Sequence, residues 1–143
     1  MNKKKQNKLL EKMNSTSTQL NLLVIQRAEQ INSKGLYRSD KKVVAGAECG
    51  KTKEHGASGY VKRKHILQPT LSNYYKSKLG VNEGEKSSLA IYPVGNCAEC
   101  EAVNKVLSKN NKIDINNISV SLAVGCRKFD IIPACGNCNA LFF

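Results

Sequence analysis

The sequence lacks a long hydrophobic run. Its most apolar stretch is the short segment 22–25, which is too short for the hydrophobic core of a signal peptide and far too short for a membrane span of about 20 residues. No internal repeat is visible either. We therefore expect neither a signal peptide nor a membrane partner for this chain, and export would depend on something else.

Acidic residues are also scarce. The 143 residues contain 11 Asp and Glu against 23 Lys and Arg, which gives a formal net charge of +12. Such a charge on a small domain favours polyanionic partners, nucleic acid first and acidic proteins second. A soluble, lysine-rich protein without such a partner would have the same composition. The 41% of hydrophobic residues is enough for one domain with one core.

The sequence contains six cysteines, and their spacing is informative. Four of the six form two Cys-x-x-Cys pairs, at residues 97–100 and 135–138. This spacing favours a metal site over a disulfide framework. The remaining two, Cys49 and Cys126, are expected to be free thiols.

Apolar periodicity predicts an α/β domain with helices packed on a small sheet. Residues 1–15 are rich in Lys and Asn and are predicted to form a flexible basic arm or linker before a folded domain at 16–143. Residues 48–59 are predicted to connect a hairpin, and 81–88 to form a polar loop. Helices are predicted at 17–34, around 71–79, at 97–109 and from Pro133, and strands at 43–47, around Tyr60 and Val61 and at 118–124. Residues 89–92 are predicted to form a strand or the extended approach to one.

The two cysteine pairs are predicted to lie at helix N-termini. Asn96 is a suitable N-cap, which would place Cys97 and Glu99 in the first turn, and Pro133 is suited to a helix start. Helix N-termini lower thiol pKa values and so favour the thiolates that bind zinc. A carboxylate at Glu99 is then placed to move protons for a water at the metal. Alternatively, Asn96-x-x-Glu99 is only a capping box.

A closed structural site is the main alternative for the metal. Zinc held by Cys97, Cys100, Cys135 and Cys138 would have four thiolate ligands and no position for water. Cys100, however, falls among the apolar residues of the predicted helix, where it is equally suited to a place in the core.

Two runs of the sequence resemble motifs of the YwqJ-like deaminases, a branch of the cytidine deaminase-like superfamily often found as toxin domains of bacterial polymorphic toxin systems. The first runs from Pro93 through Leu107 and the second from Pro133 to Cys138. The resemblance implies a three-layer α/β/α fold with a small mixed sheet. The chain extends only five residues past Cys138, so a C-terminally minimal version of that fold is expected.

The same resemblance implies the roles of the site residues. One catalytic Zn²⁺ would be held by Cys97, Cys135 and Cys138, with Glu99 as the proton shuttle. The Ala98 backbone N–H would meet the carbonyl oxygen of the base.

The function implied by the resemblance is hydrolytic deamination, most directly of cytosine to uracil. The protein would be a monomeric toxin domain, delivered or secreted and acting in the target-cell cytoplasm, with a cognate immunity protein. The net charge favours single-stranded DNA or RNA as substrate, since a duplex base must first be flipped out. The alternatives are a free cytidine or nucleoside deaminase, or a non-enzymatic four-cysteine zinc module that binds nucleic acid.

Substrate contacts are predicted where basic residues alternate with tyrosines, because cations meet phosphates and rings stack on bases. A solvated face with half-buried tyrosines would give the same pattern. The candidate contacts are His65, Asn73, Tyr74, Tyr75 and Lys76.

Overall fold

The computed structural model describes residues 1–38, 41–59 and 66–143, which form α-helices and a small sheet. Short 3-10 helices occur at Leu36–Arg38 and Ile115–Asn117. The helices are α1 (Lys3–Lys12), α2 (Thr18–Ser33), α3 (Pro69–Leu79), α4 (Ala98–Lys109) and α5 (Gly136–Phe142), and the strands are β1 (Val43–Cys49), β2 (Thr52–Ala57), β3 (Ser119–Val120), β4 (Ala123–Gly125) and β5 (Ile131–Ile132).

β1 is central in the sheet. It pairs with β2 on one side and with β3 and β4 on the other, and β5 pairs with the outer edge of β4. Every pairing among the described strands is antiparallel, so the prediction of a mixed sheet is wrong for this part of the chain. For β1–β2 and β4–β5 the reason is local, because short turns join these strands and can link only antiparallel neighbours.

The predicted strand at 118–124 is divided into β3 and β4 by a bulge. Between the pairs Ala47–Val120 and Val44–Val124, β1 advances three residues while the opposing chain advances four. The extra residue is accommodated at Ser121, whose hydroxyl accepts a hydrogen bond from the β1 backbone at 2.8 Å. The two short strands are therefore one bulged strand in the layout of the sheet.

Helices cover both faces of the sheet, which makes a three-layer α/β/α arrangement. A Cβ atom on Gly46 would lie 2.8 Å from the Leu20 side chain of α2, and one on Gly56 would lie 2.4 Å from the Ala98 carbonyl oxygen of α4. Both helices therefore approach the sheet where it carries no side chain. The predicted helices at 17–34 and 97–109 are confirmed as α2 and α4 to within a residue.

The N-terminal segment is a helix and not the predicted flexible arm. Asn2 caps α1 by accepting a hydrogen bond from the Lys5 N–H, and Leu9 and Met13 are buried. The buried Asn21 amide of α2 donates to the Met13 carbonyl oxygen. The few apolar residues of this segment thus fall on one face and pack on α2. The Lys-rich composition alone gave no indication of this packing.

The second strand lies earlier than predicted. Residues 52–57 were expected within a hairpin connection but form β2, and the connection is only Gly50 and Lys51. Gly50 has φ +58°, a conformation that glycine adopts readily in such tight turns. The strand predicted around Tyr60 and Val61 lies outside the described residues.

The predicted strand at 89–92 is also wrong. These residues form an irregular loop, and Leu89, Ile91 and Tyr92 are exposed. The loop is closed instead by backbone bonds to Val94, which is buried: its N–H donates to the Glu85 carbonyl oxygen at 2.9 Å. An apolar run without an adjacent strand to pair with does not become a strand.

Candidate functional site

The two cysteine pairs occupy equivalent positions on two helices. Cys97 is the N-cap of α4 and Cys135 is the N-cap of α5, both with extended backbone angles. Cys100 and Cys138 are the third residues of the same helices. Each Cys-x-x-Cys pair therefore places one sulfur before the helix and one in its first turn.

Both helices begin later than the sequence predicted. Asn96 does not cap α4, because its N–H donates to the Pro93 carbonyl oxygen and its own carbonyl accepts from Gly59. Pro133 does not open α5, because the helix begins only at Gly136, with the extended residue Cys135 as its N-cap. With the Asn96 N–H engaged elsewhere, the capping-box interpretation of Glu99 does not hold.

The sulfur atoms of Cys97, Cys135 and Cys138 form a compact trio. All three lie within 4.8 Å of one another, and those of Cys97 and Cys135 are 3.0 Å apart. Sulfurs around a tetrahedral zinc ion are about 3.8 Å apart, given Zn–S bonds of about 2.3 Å. The Cys97–Cys135 separation is shorter than this value and all three pairs lie within 4.8 Å, so the trio is compact enough for one ion to contact all three sulfurs.

Cys100 lies beside the trio but is not part of it. Its sulfur is 3.9 Å from that of Cys138, and its side chain is fully buried in the core cluster to which α3, α4 and α5 contribute. All six cysteines are free thiols, including Cys49 and Cys126 as predicted.

The thiols of the trio cannot all ionise together unless a cation is present. Hydrogen bonds from the Cys138 and Cys97 thiols lower the pKa of Cys135. The contact with Cys135 raises the pKa of Cys97, and contacts with Cys100 and Cys135 raise the pKa of Cys138. The trio alone thus favours one thiolate. A soft divalent cation would offset the repulsion between three, so the donor set fits zinc.

Glu99 is buried beside the trio. Its residue is 4% exposed, and it is the second residue of α4. Burial raises the pKa of its carboxyl to about 7, its own backbone N–H opposes that shift, and the Cys135 thiolate adds to it. A carboxyl in this position can carry a proton near neutral pH.

Cys97 and Cys135 of the trio, together with Glu99, line one cavity of about 430 Å³. This volume is within the range of small-molecule sites. Ala98 also lines the cavity, and as the first residue of α4 its N–H belongs to the groups that a helix leaves without an internal partner. The lining residues are Lys42, Val43, Ser58, Gly59, Tyr92, Asn96, Cys97, Ala98, Glu99, Ala123, Ile132, Pro133 and Cys135.

The predicted substrate contacts on α3 do not reach this cavity. Tyr75 is fully buried in the core. The Tyr74 hydroxyl donates to the Leu141 carbonyl oxygen at 2.6 Å, and its ring stacks on Phe142, so Tyr74 joins α3 to α5. Asn73, like Lys76, is exposed on α3. His65 lies outside the described residues.

Other cavity residues were missed because they depend on strand register. Lys42 precedes β1 and Ser58 follows β2, and the hairpin brings them together: the Lys42 N–H donates to the Ser58 hydroxyl at 3.0 Å. A correct assignment of β2 from the sequence would have placed both residues at the end of the hairpin. Tyr92 comes from the loop that was predicted to be a strand.

The wall formed by that loop is fixed by the start of α5. The Asn137 side chain is 1% exposed; its amide donates to the Tyr92 carbonyl oxygen at 3.1 Å, and its oxygen accepts from the Ser87 hydroxyl. A Cβ atom on Gly136 would lie 2.0 Å from the Leu89 carbonyl oxygen. The loop therefore rests directly on the helix that carries Cys138.

Comparisons of the chain with protein-family models, curated proteins and solved structures find no match. The likeness to the YwqJ-like deaminases therefore depends on the motif residues alone. Among the described residues, no helix has the length and apolar character needed to cross a membrane.

Proposed function

We propose that the protein is a zinc-dependent hydrolytic deaminase that converts cytosine to uracil in single-stranded nucleic acid. The observation that carries the proposal is a three-thiol trio beside the buried Glu99 carboxyl, with Cys97, Cys135 and Glu99 lining one cavity. A structural zinc site requires neither a cavity nor a buried carboxyl beside it, whereas a deaminase site requires both.

Cys97, Cys135 and Cys138 would hold the zinc ion. When bound, Zn²⁺ supplies the Lewis acidity that makes water nucleophilic at neutral pH. Three protein ligands leave one position of a tetrahedral site for this purpose. Cys97 and Cys135 line the cavity, so an ion held by the trio would lie beside a substrate bound there.

Glu99 would carry the protons of the reaction. The water oxygen bonds to C4 of cytosine while the Glu99 carboxylate accepts a water proton and delivers it to ring N3. The C4–N bond to the exocyclic amine then breaks, and Glu99 transfers the second water proton to the amine, which leaves as ammonia. The Ala98 N–H would bind the base carbonyl oxygen and so orient the ring.

The proposed biological role comes from the resemblance alone. By that likeness the protein acts as a bacterial toxin domain, delivered into the cytoplasm of a target cell and neutralised by a cognate immunity protein. The net charge of +12 supports a polynucleotide over a free nucleoside, because only the former offers a phosphate backbone.

A second candidate is a non-enzymatic four-cysteine zinc module. It is favoured by the 3.9 Å contact between the Cys100 and Cys138 sulfurs and by the equivalent placement of both pairs on their helices. Zinc stoichiometry of Cys100→Ala separates the two candidates. A deaminase site retains its metal in this variant, whereas a four-thiolate site loses it.

The deaminase proposal is tested by sequencing. Bacteria that lack uracil repair express the wild type, Glu99→Gln, or Glu54→Gln, a matched change at a carboxylate on β2 that does not line the cavity. We expect excess C-to-T changes in DNA or transcripts with the wild type and Glu54→Gln only. Full activity of Glu99→Gln, or no excess from folded, zinc-bound wild type, would contradict the proposal.

A further inference from the structure

A basic groove adjoins the cavity of the candidate site. It has a volume of about 520 Å³ and is lined by Tyr37, Arg38, Lys42 and Arg127. Among the residues that the structure describes, the lining thus consists of three cations and one aromatic residue, with no acidic side chain. Lys42 lines both the basic groove and the cavity, so the two are neighbours on the surface.

The fold holds two of the cations in place through their backbones. The Cys126 N–H donates to the Lys42 carbonyl oxygen at 2.8 Å. The Asn32 amide near the end of α2 donates to the carbonyl oxygens of Cys126 and Arg127, at 2.8 and 3.3 Å. The turn after β4, the end of α2 and the start of β1 are thereby joined at the groove.

The 3-10 helix after α2 supplies the aromatic residue and the third cation. Tyr37 is half-buried and packs against the core that α2 covers, which limits the motion of its ring. The Arg38 guanidinium lies 5.8 Å from the centre of that ring, a distance typical of cation–π pairs. A fixed ring beside exposed cations is the arrangement that single-stranded nucleic acid requires, with bases stacking and phosphates pairing.

We infer that the basic groove binds the polynucleotide next to the nucleotide whose base enters the cavity. Arg38, Lys42 and Arg127 would neutralise its phosphates, and Tyr37 would stack on a neighbouring base. The inference rests on the proposed function, which supplies the nucleotide in the cavity. It also extends that proposal, because a free nucleoside has no neighbouring phosphates or bases for the groove to bind.

Binding measured without turnover tests the inference. The zinc-bound protein is titrated into a fluorescent oligothymidylate, which contains no cytosine, across a series of salt concentrations. The variant combines Arg38→Ala, Lys42→Ala and Arg127→Ala. The control combines Lys3→Ala, Lys51→Ala and Lys112→Ala, which removes the same charge at exposed positions outside the groove.

Each phosphate contact on a single strand contributes about 0.7 to the slope of log affinity against log salt. Loss of three contacts should make that slope shallower by about 2 and weaken binding about 100-fold at 0.1 M salt. The control should bind within about threefold of the wild type. Tyr37→Leu should weaken binding about tenfold with no change of slope, because stacking does not release counterions.

Equal losses in the two triple variants would overturn the inference, because net charge alone would then explain binding. A groove variant with unchanged slope would also overturn it. The binding result is independent of catalysis. If the predicted binding is found but the wild type deaminates no cytosine oligonucleotide, the inference about the groove is supported and the proposed function fails. If the groove variant deaminates oligonucleotides as well as the wild type does, the deaminase proposal is supported and the inference about the groove fails.

Discussion

The contact between α4 and the sheet positions the site, and Gly56→Ala tests it. A Cβ atom on Gly56 would lie 2.4 Å from the Ala98 carbonyl oxygen and 2.5 Å from the Ala102 nitrogen. Both are backbone atoms of the helix that carries Glu99, and backbone cannot rotate away as a side chain can. The substitution must therefore push α4 from the sheet.

Gly46→Ala is the matched control on the other face. Its Cβ atom would lie 2.8 Å from atoms of the Leu20 and Val24 side chains, which can change rotamer. Overpacking against fixed atoms costs about 1–3 kcal/mol, and alanine recovers about 0.5–1 kcal/mol over glycine within a strand. We expect Gly56→Ala to lower the free energy of unfolding by about 2 kcal/mol, and Gly46→Ala by less than about 1 kcal/mol.

Urea unfolding at constant zinc concentration measures this difference. With a denaturant slope of about 2 kcal/mol per molar, Gly56→Ala should shift the midpoint down by about 1 M and leave the slope unchanged. The same variant should bind zinc more weakly, because α4 carries Cys97 on its N-cap. Wild-type stability in Gly56→Ala, or a smaller loss than in Gly46→Ala, would refute the packing argument.

Three further predictions concern the loop, the sheet and the metal. Gly136→Ala should destabilise the protein although alanine favours helices, because its Cβ atom would lie 2.0 Å from the Leu89 carbonyl oxygen; thermal unfolding checks this, and an increased Tm would contradict it. Burial lowers the pKa of His55 from 6.5 to about 4, with smaller contributions from Lys105 and then Arg27. Between these pH values the unfolded chain binds more protons than the folded protein, so stability falls as pH drops from about 6.5 to 4. This fall should be smaller in His55→Gln, and an unchanged dependence of stability on pH would count against the prediction. Chelation of zinc should lower the free energy of unfolding, by about 2.7 kcal/mol if free zinc had been 100-fold above its Kd; Cys135→Ser should lose this response and Cys49→Ser should keep it.

The sequence predicted the elements whose pattern is locally complete. α2 has apolar residues at helical spacing, and the run at Val43–Ala47 forms most of β1. β2 was missed because half-exposed polar residues such as Lys53 and Glu54 give an edge strand no apolar alternation. Residues 89–92 were misassigned for the opposite reason: they are apolar but have no strand beside them.

The candidate metal ligands and the carboxyl could be predicted, because their chemistry is indicated by residue spacing in the sequence. The Cys-x-x-Cys pairs and Glu99 are visible in the sequence, and the structure brings together the sulfurs of Cys97, Cys135 and Cys138, with Glu99 lining the same cavity as Cys97 and Cys135. The cavity wall depends on which residues face each other across the hairpin, as Lys42 and Ser58 do, and on a loop held by Asn137. Tyr75 was predicted as a substrate contact but lies in the core. Composition alone does not tell whether an aromatic residue in a helix faces the core or the surface.

The central claim is that three thiolates hold one zinc ion with a position left for water, and X-ray absorption at the zinc edge of the purified protein tests it directly. We predict three sulfur ligands at about 2.3 Å and one oxygen or nitrogen ligand at about 2.0 Å, with the same spectrum in Cys100→Ala. Four sulfur ligands in the wild type, with one lost in Cys100→Ala, would contradict the claim and identify a closed structural site.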